Sequence, residues 1–333
     1  MSPASIRWGI VGPGRIAENV MGDFVHVPDA DVVAVASRSS DRAQAFATKH
    51  GIEHSYGSYR ELIDDPNVDV LYIATPHPQH HAIGVAAAAA GKALLVEKAF
   101  TATSAGAESL VSAVREHNVF AMEAMWTRFQ PAVVAARELI ADGAIGALRS
   151  VQADLGVVRD FDPSDRMFAP ELGGGATLDL GVYVVSLAQL VLGSPTSISV
   201  LGSLEPSGVD ADATMLLGFD HGRTATLTCS LHSPTPGQAR IFGSTGWIDV
   251  LPRFHHPRSF VLHREGHEPE RFDRPPLGTG YSHELIEVTE SIKAGHTEST
   301  VMPLEDTLTV QRVLDEALAQ LGVRFHEDPA ALG

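Results

Sequence analysis

The sequence predicts an α/β half built on a parallel, doubly wound sheet, followed by an α+β half in which helices pack on an antiparallel or mixed sheet. Three observations carry this reading. Apolar strand-length runs alternate with helical patterns through residue 123, which implies a parallel sheet with helices on both faces. A glycine-rich turn follows directly on the first of those runs. Beyond it, from residue 129 on, helical stretches give way to short alternating runs with turn residues between them.

The elements follow in order. Ile6 to Val11 is strand-like, and a helical stretch runs from Arg15 to about Phe24. Val32 to Ala36 is the next strand, and a helix follows from Ser40 to His50, with Ser40 and Asp41 as its N-cap. Val68 to Ala74 is a strand, His81 to Ala90 a helix, Ala93 to Val96 a strand, Ser104 to His117 a helix, and Val119 to Met122 closes the series. These strands read as continuous apolar runs, as strands covered on both faces do. In the second half, helical patterns cover Phe129 to Asp142 and Leu178 to Leu192. Short runs then span Ser197 to Ser203, Ala213 to Phe219 and Thr224 to Leu231, more short runs follow through Phe260 to His263, and Asp220-His221-Gly222 signals a hairpin. Helices over Ser282 to Ala294 and Leu304 to Leu321 finish the chain. The boundary is expected between Glu123 and Arg128. That gives a first domain of residues 1–123 and a second of 124–333, whose last helix can pack back on the first.

Composition narrows the function. A chain of 333 residues with 44% hydrophobic and 20% charged residues suits two folded domains. The formal net charge of −17 argues against nucleic acid and anionic membrane surfaces as partners. No stretch reaches about eighteen apolar residues without a polar break, so no membrane span is expected. Met1-Ser2-Pro3-Ala4-Ser5 lacks the basic and apolar regions of a secretory leader. The single cysteine, Cys229, excludes an intramolecular disulfide and suits a reducing cytoplasm. Of the 16 histidines, several cluster, at His77/His80/His81, His255/His256 and His263/His267. Their spacing matches no zinc pattern, so they are expected to face solvent or line a pocket rather than hold a metal.

The turn "GIVGPGRIAENV" places Gly12-Pro13-Gly14-Arg15-Ile16-Ala17 as GxGxxA between a strand and a helix. The first glycine permits the tight turn, the second lets backbone approach a pyrophosphate, and the small third residue allows close helix–strand packing. In this context the motif predicts a dinucleotide site that uses Gly12, Gly14, Arg15 and Ile16. An NAD site usually has Asp or Glu at the end of the second strand. Here that place reads Ser37-Arg38-Ser39-Ser40-Asp41-Arg42. Ser37, Arg38 and Arg42 suit a 2′-phosphate, so NADP is expected, with NAD possible.

Two further stretches carry chemistry. "LDLGVYVVSLAQLVL" is apolar nearly all round, so its Asp179, Tyr183 and Ser186 need partners or a ligand. At spacings i, i+4 and i+7 they share one helical face, and Gly173-Gly174-Gly175 just before them permits close backbone approach. The competing reading is a core tyrosine bonded to an internal acceptor. The second stretch, "ALLVEKAF", brings Glu97 and Lys98 to the carboxyl end of a buried strand, as "VLYIA" brings Thr75, Pro76 and His77. Ligands of open α/β sheets bind at those ends. Lys98 and Tyr183 are then the pair expected to handle the proton of a carbonyl or alcohol, since a nearby cation favours tyrosinate.

Together, Gly12 to Ala17, "ATPHPQHH", "VEKAF", "EAMWTRFQP", "GGGATLDLGVY" and the closing "MPLEDTLTVQRVLDE" resemble the Gfo/Idh/MocA oxidoreductase family, most nearly its dimeric dihydrodiol dehydrogenase branch. The resemblance runs over nearly the whole chain. It implies a Rossmann domain and an α+β domain with a large, mostly antiparallel open sheet. It also implies NADP or NAD, and hydride transfer between nicotinamide and an alcohol or carbonyl carbon of a sugar, polyol or vicinal diol. By this resemblance Lys98 contacts nicotinamide ribose and substrate, Asp179 positions substrate, and Tyr183 is the general acid/base. Thr75, Pro76 and His80 line the cofactor, and His77 and Glu97 are placed with them. Trp126, Arg128 and Phe129 approach the substrate. Relatives often dimerise through the open face of the second sheet. Other members use bound NAD for glycoside cleavage or act as non-catalytic dinucleotide sensors. One departure is Ala99, where the family tip usually reads Glu-Lys-Pro; proline would fix the backbone there and could support a cis bond.

Overall fold

The computed structural model describes residues 5–332; Met1 to Ala4, most of the stretch read above for a leader, lies outside the described residues. The chain divides into two compact units. One holds Met1–Met125, Leu277–Leu308 and His326–Gly333, the other Trp126–Pro276 and Thr309–Phe325.

The first unit opens with β1 (Ile6–Val11), α1 (Arg15–Met21), β2 (Ala30–Ala36), α2 (Ser40–His50), β3 (His54–Tyr56), α3 (Tyr59–Ile63), β4 (Val70–Ile73), α4 (His77–Ala89), β5 (Ala93–Glu97), α5 (Ser104–His117) and β6 (Ala121–Ala124). The six strands form one sheet in the order β3-β2-β1-β4-β5-β6, and every pairing is parallel. Strand order reverses between β1 and β4, which opens a crevice at the carboxyl ends of the central strands. β4 and β5 are buried along their whole length, which is why they read as unbroken apolar runs.

Three local readings change. α2 is capped by Ser39, whose hydroxyl accepts from the Arg42 amide, and not by Ser40 and Asp41, which already lie inside the helix. α4 starts at His77 and not His81. The prolines of "TPHP" read as a loop, yet Pro78 falls in the first turn, where a missing N–H costs nothing. β3 and α3 are short and rich in polar residues, so periodicity passed over them; α3 is set by Ser58, which accepts from the Glu61 amide at 3.2 Å.

The second unit contains α6 (Pro131–Ala141), β7 (Leu148–Gly156), α7 (Val182–Leu192), β8 (Ser197–Leu204), β9 (Asp210–Phe219), β10 (Arg223–Ser230), β11 (Ala239–Gly243), β12 (Gly246–Val250), β13 (Ser259–Arg264) and β14 (Glu270–Asp273). Its eight-stranded sheet runs β14-β13-β12-β11-β7-β10-β9-β8. Only β7 and β10 pair in parallel; the other pairings are antiparallel. One face, with Val151, Met215, Leu217, Leu227, Ile241 and Ile248, is buried, and α7 packs on β7 and β10. The other face carries Leu201, Leu216 and Trp247, all exposed. The hairpin between β9 and β10 turns at Asp220–Gly222, with His221 at φ 61°.

Two helices close the chain, α8 (Ser282–Lys293) and α9 (Leu304–Leu321). α8 belongs to the first unit. Asp23, 1% exposed, accepts from the amides of Thr279 (2.8 Å), Gly280 (3.0 Å) and Ser282 (2.9 Å) and fixes the approach to α8. The stretch Pro170–Leu192 is long and apolar enough to cross a membrane, which the sequence reading had not expected of any segment. Most of it is buried inside the protein, as in a core helix.

Candidate functional site

In the first unit, the candidate cofactor residues gather at the carboxyl ends of β2, β1, β4 and β5. Gly12 donates to Ala36 O at 3.0 Å and Ala74 donates to Val11 O at 2.9 Å, which sets the turn after β1 between its neighbours. Gly12 has φ 88°, and a side chain there would press on Thr75. A side chain at Gly14 would meet nothing within 4 Å, so that turn has room for a ligand to approach. Thr75 Oγ1 is buried with no protein hydrogen-bond partner at the same edge. An open glycine turn beside an unpartnered hydroxyl fits a dinucleotide. Arg15 is exposed and Ile16 half-buried just beyond the turn.

At the tip of β2, Ser37 is buried and its hydroxyl accepts from the Ser39 amide at 3.2 Å. Arg38 and Arg42 are exposed. Burial raises the Tyr59 pKa, and these two guanidinium groups nearby partly offset it. The tip therefore offers positive charge, and the position just after the strand holds serine rather than a carboxylate.

The tips of β4 and β5 are braced by histidines. His80, fully buried, donates from Nε2 to Thr75 O at 2.7 Å, and its Nδ1 faces Ala99 O at 3.1 Å. Its ring ties the tips of β4 and β5 together. His77 Nε2 donates to Lys98 O at 3.2 Å, and Pro76 lies half-buried beside it. Glu97 is buried, accepting from Tyr72 Oη at 2.5 Å and from the Lys98 amide at 3.1 Å. Glu284, on α8, is 1% exposed. Burial, then the charges of Glu97 and Asp23, hold its pKa well above the carboxylate range. Lys98 itself is half-buried, and the Lys98–Ala99 peptide bond is cis, although residue 99 is alanine.

In the second unit, Thr177–Gly181 forms a π turn ahead of α7. A continuous α-helix from Leu178 was expected; the wider turn changes which neighbours Asp179 meets. Asp179 pairs with Arg166 Nη2 at 2.9 Å. Tyr183 Oη accepts from Trp126 Nε1 at 3.2 Å, and the Tyr183 ring lies 4.9 Å from that of His255. Trp126 also packs on His256, with ring centroids 5.3 Å apart. Burial, and secondarily the charge of Arg253, lowers the His256 pKa.

The rest of the polar face of α7 is met by Arg128. Its Nε donates to Ser186 Oγ at 3.2 Å and its Nη2 to Gln189 Oε1 at 2.5 Å, at 1% exposure. Arg128, expected near substrate, is buried and braces α7 through these two bonds, and Phe129 is buried beside it. The glycines of the "GGG" loop meet the chain itself. A side chain at Gly174 would strike Met167 O at 2.6 Å, and one at Gly175, φ 104°, would strike Asp210 Oδ1 at 2.2 Å. Asp210 Oδ2 in turn accepts from the Thr177 amide at 2.6 Å and from its hydroxyl at 2.7 Å, which fixes the start of the π turn.

Arg166 and His255 were not singled out as site residues, although the His255/His256 pair was expected to face solvent or line a pocket. Arg166 lies in a loop without periodicity, and only the His255/His256 pair had left a signal. Among the described residues, no group of three His, Cys, Asp or Glu side chains is placed to hold a metal ion.

Comparison with known proteins finds relatives for both halves of the chain. Residues 6–125 match the NAD-binding Rossmann fold of an oxidoreductase family, GFO/IDH/MocA, and residues 133–249 match the C-terminal domain of the same family. The chain is 37% identical to trans-1,2-dihydrobenzene-1,2-diol dehydrogenase of Mus musculus, over 97% of this chain and 99% of that one. The Homo sapiens enzyme of the same name is also 37% identical, with the same coverage. Among solved structures, an aldose–aldose oxidoreductase from Caulobacter crescentus aligns with TM-score 0.87 at 25% identity, over 95% and 97% of the two chains. A 3-ketoreductase from Actinomadura kijaniata, solved with NADP, aligns with TM-score 0.83 at 27% identity, over 97% and 99%. With both domains matched and relatives alike from end to end, the chain belongs to the Gfo/Idh/MocA oxidoreductase family and is an NAD(P)-dependent dehydrogenase acting on CH–OH groups.

Proposed function

We propose that this dehydrogenase uses NADP and acts on the alcohol or matching carbonyl of a sugar, polyol or vicinal diol. The observation that carries the cofactor choice is the tip of β2. Ser37 stands where a carboxylate would bind the ribose hydroxyls, and exposed Arg38 and Arg42 supply charge for a 2′-phosphate. Gly12, Gly14, Arg15, Ile16, Thr75, Pro76, His77 and Lys98 hold the rest of the cofactor, while His80 and Glu97 support the strand tips. When bound, the nicotinamide takes up or returns the hydride.

The chain's own residues handle the proton and the substrate. Tyr183 accepts the hydroxyl proton as the alcohol is oxidised and returns it in the reverse direction. The Trp126 N–H steadies the phenol oxygen through its hydrogen bond. Asp179, held by Arg166, positions a substrate hydroxyl. Lys98 supplies a cation for nicotinamide ribose and substrate. The names of the relatives support the substrate class: diol dehydrogenases by sequence, and an aldose oxidoreductase and a ketoreductase by structure. The exposed sheet face bearing Leu201, Leu216 and Trp247 is the surface through which two copies pair, in a cytoplasmic homodimer.

Arg38→Ala should raise the KM for NADPH about tenfold or more and leave that for NADH nearly unchanged. A rise of less than about twofold overturns the NADP assignment. Tyr183→Phe should abolish turnover while NADPH still binds; full activity removes Tyr183 from the chemistry.

A further inference from the structure

Asp179, the carboxylate proposed above to position substrate, has a second and wholly buried carboxyl behind it. Asp179 is the middle residue of the π turn Thr177–Gly181. Turns of this width are rare and occur frequently at functional sites. The turn closes on Thr177: the Val182 amide bonds back to Thr177 O. The other side of the same residue is held from β9. Asp210, 0% exposed, accepts from the Thr177 amide at 2.6 Å and from its hydroxyl at 2.7 Å. The first amides of a helical turn have no partner within the turn. Asp210 therefore supplies from a distant strand what a cap residue supplies locally.

The same carboxyl backs the other half of the Asp179–Arg166 pair. Gly175 runs so close to it that a side chain there would strike Asp210 Oδ1. The Gly175 amide donates to Met167 O at 2.8 Å, and the Gly174 amide donates to Ala169 O at 3.1 Å. A side chain at Gly174 would meet Arg166 O at 2.7 Å. The glycine loop thus packs on the backbone that carries Arg166, whose Nη2 reaches Asp179 at 2.9 Å. Both members of the pair are carried by chain that rests on Asp210: Asp179 through Thr177, and Arg166 through Gly175. Burial raises the Asp210 pKa, and the Thr177 hydroxyl and amide offset part of that rise. A carboxyl in such a place is costly without those partners.

We propose that Asp210 is a positioning residue for the dehydrogenase reaction: by holding Thr177 and backing Gly175 it keeps Asp179 and Arg166 aligned for a substrate hydroxyl. Its action runs through these neighbours. This rests on the reading of Asp179 as the group that positions substrate. Side chains that set a reacting geometry are locked by bonds behind them. A misplacement of about 1 Å, even from a change far from the chemistry, costs on the order of a hundredfold in rate.

The test uses the full-length enzyme with NADP, and trans-cyclohexane-1,2-diol and D-glucose as substrates, well below the melting temperature of each variant. Thr177→Val keeps the shape of the side chain and removes its donor to Asp210. It should lower kcat/KM about tenfold, chiefly through substrate KM. Thr177→Ser keeps the donor and should stay within about twofold of wild type. Asp210→Ala removes the acceptor of both bonds and should cost more than Thr177→Val; should it not fold, the Thr177 variants carry the test. NADPH affinity, read by fluorescence titration, should hold within about twofold throughout. Thr177→Val is also placed in an Asp179→Asn background, where it should cost less than about twofold, because the group it misplaces is already gone. An equal loss with and without Asp179, or a lowered melting temperature with kcat/KM unchanged, overturns the inference and leaves the role of Asp179 standing. An Asp179→Asn enzyme as active as wild type overturns the reading of Asp179 and this inference with it. A wild type that turns over neither substrate overturns the substrate class and this inference together.

Discussion

The indole N–H of Trp126 donates to the hydroxyl oxygen of Tyr183 at 3.2 Å. Trp126 is the first residue of the second unit, and Tyr183 stands in the first turn of α7. A donor on the phenol oxygen stabilises negative charge there.

Trp126→Phe keeps an aromatic ring in that place and removes only the donor. It should lower kcat by about fivefold to tenfold, the worth of one hydrogen bond to a developing charge. Binding of NADPH, measured by fluorescence titration, should stay within about twofold of wild type. A kcat equal to wild type would leave the indole with a packing role alone.

Arg128 gives a different expectation, because its guanidinium bonds two buried side chains of α7. Arg128→Met fills most of the same volume but strands Ser186 Oγ and Gln189 Oε1 in a buried setting. Unfolding by urea should show a loss of about 2–3 kcal/mol. An effect confined to substrate KM, with the midpoint of unfolding unmoved, would return Arg128 to the substrate side.

Glu284 predicts a pH dependence of stability. Burial, then repulsion from Glu97 and Asp23, holds its folded pKa well above its ordinary value of 4.5. Above that ordinary value the unfolded chain releases the proton and the folded protein keeps it. The contribution of this group is therefore full below about pH 4.5 and is lost as pH rises toward the folded pKa. Glu284→Gln removes the proton and the dependence together. Thermal melts from about pH 5 to about pH 8 should show the variant gaining on wild type throughout, by a margin that widens with pH. Parallel curves would mean that Glu284 ionises in the folded state much as it does in the unfolded chain.

How much of this was legible depends on the range of the interaction. The cofactor turn was readable because Gly12 to Ala17 carries its meaning in six adjacent positions, and a tight turn between strand and helix is a local demand. The ends of α5, α8 and α9 were found within a residue for the same reason. β7 went unread, and β11 and β12 were expected only as further short runs without bounds, since their inward and outward residues alternate only against a sheet that must already exist. The π turn at Thr177–Gly181 was invisible because it answers to Asp210, 33 positions along the chain from Thr177.

By itself, the sequence determined the strand–helix alternation of the first half, the dinucleotide turn, the missing carboxylate after β2 and the residue types able to move a proton. Each is a matter of local spacing or side-chain chemistry. Only the tertiary structure decided what those residues face. It turned Arg128 inward onto α7, set the glycine loop against the chain's own backbone, and laid His255 against Tyr183 from a loop more than two sheet strands away in sequence. The reason is physical: a buried polar group must be satisfied, but its type does not say by which distant partner. That choice is made when the chain closes on itself.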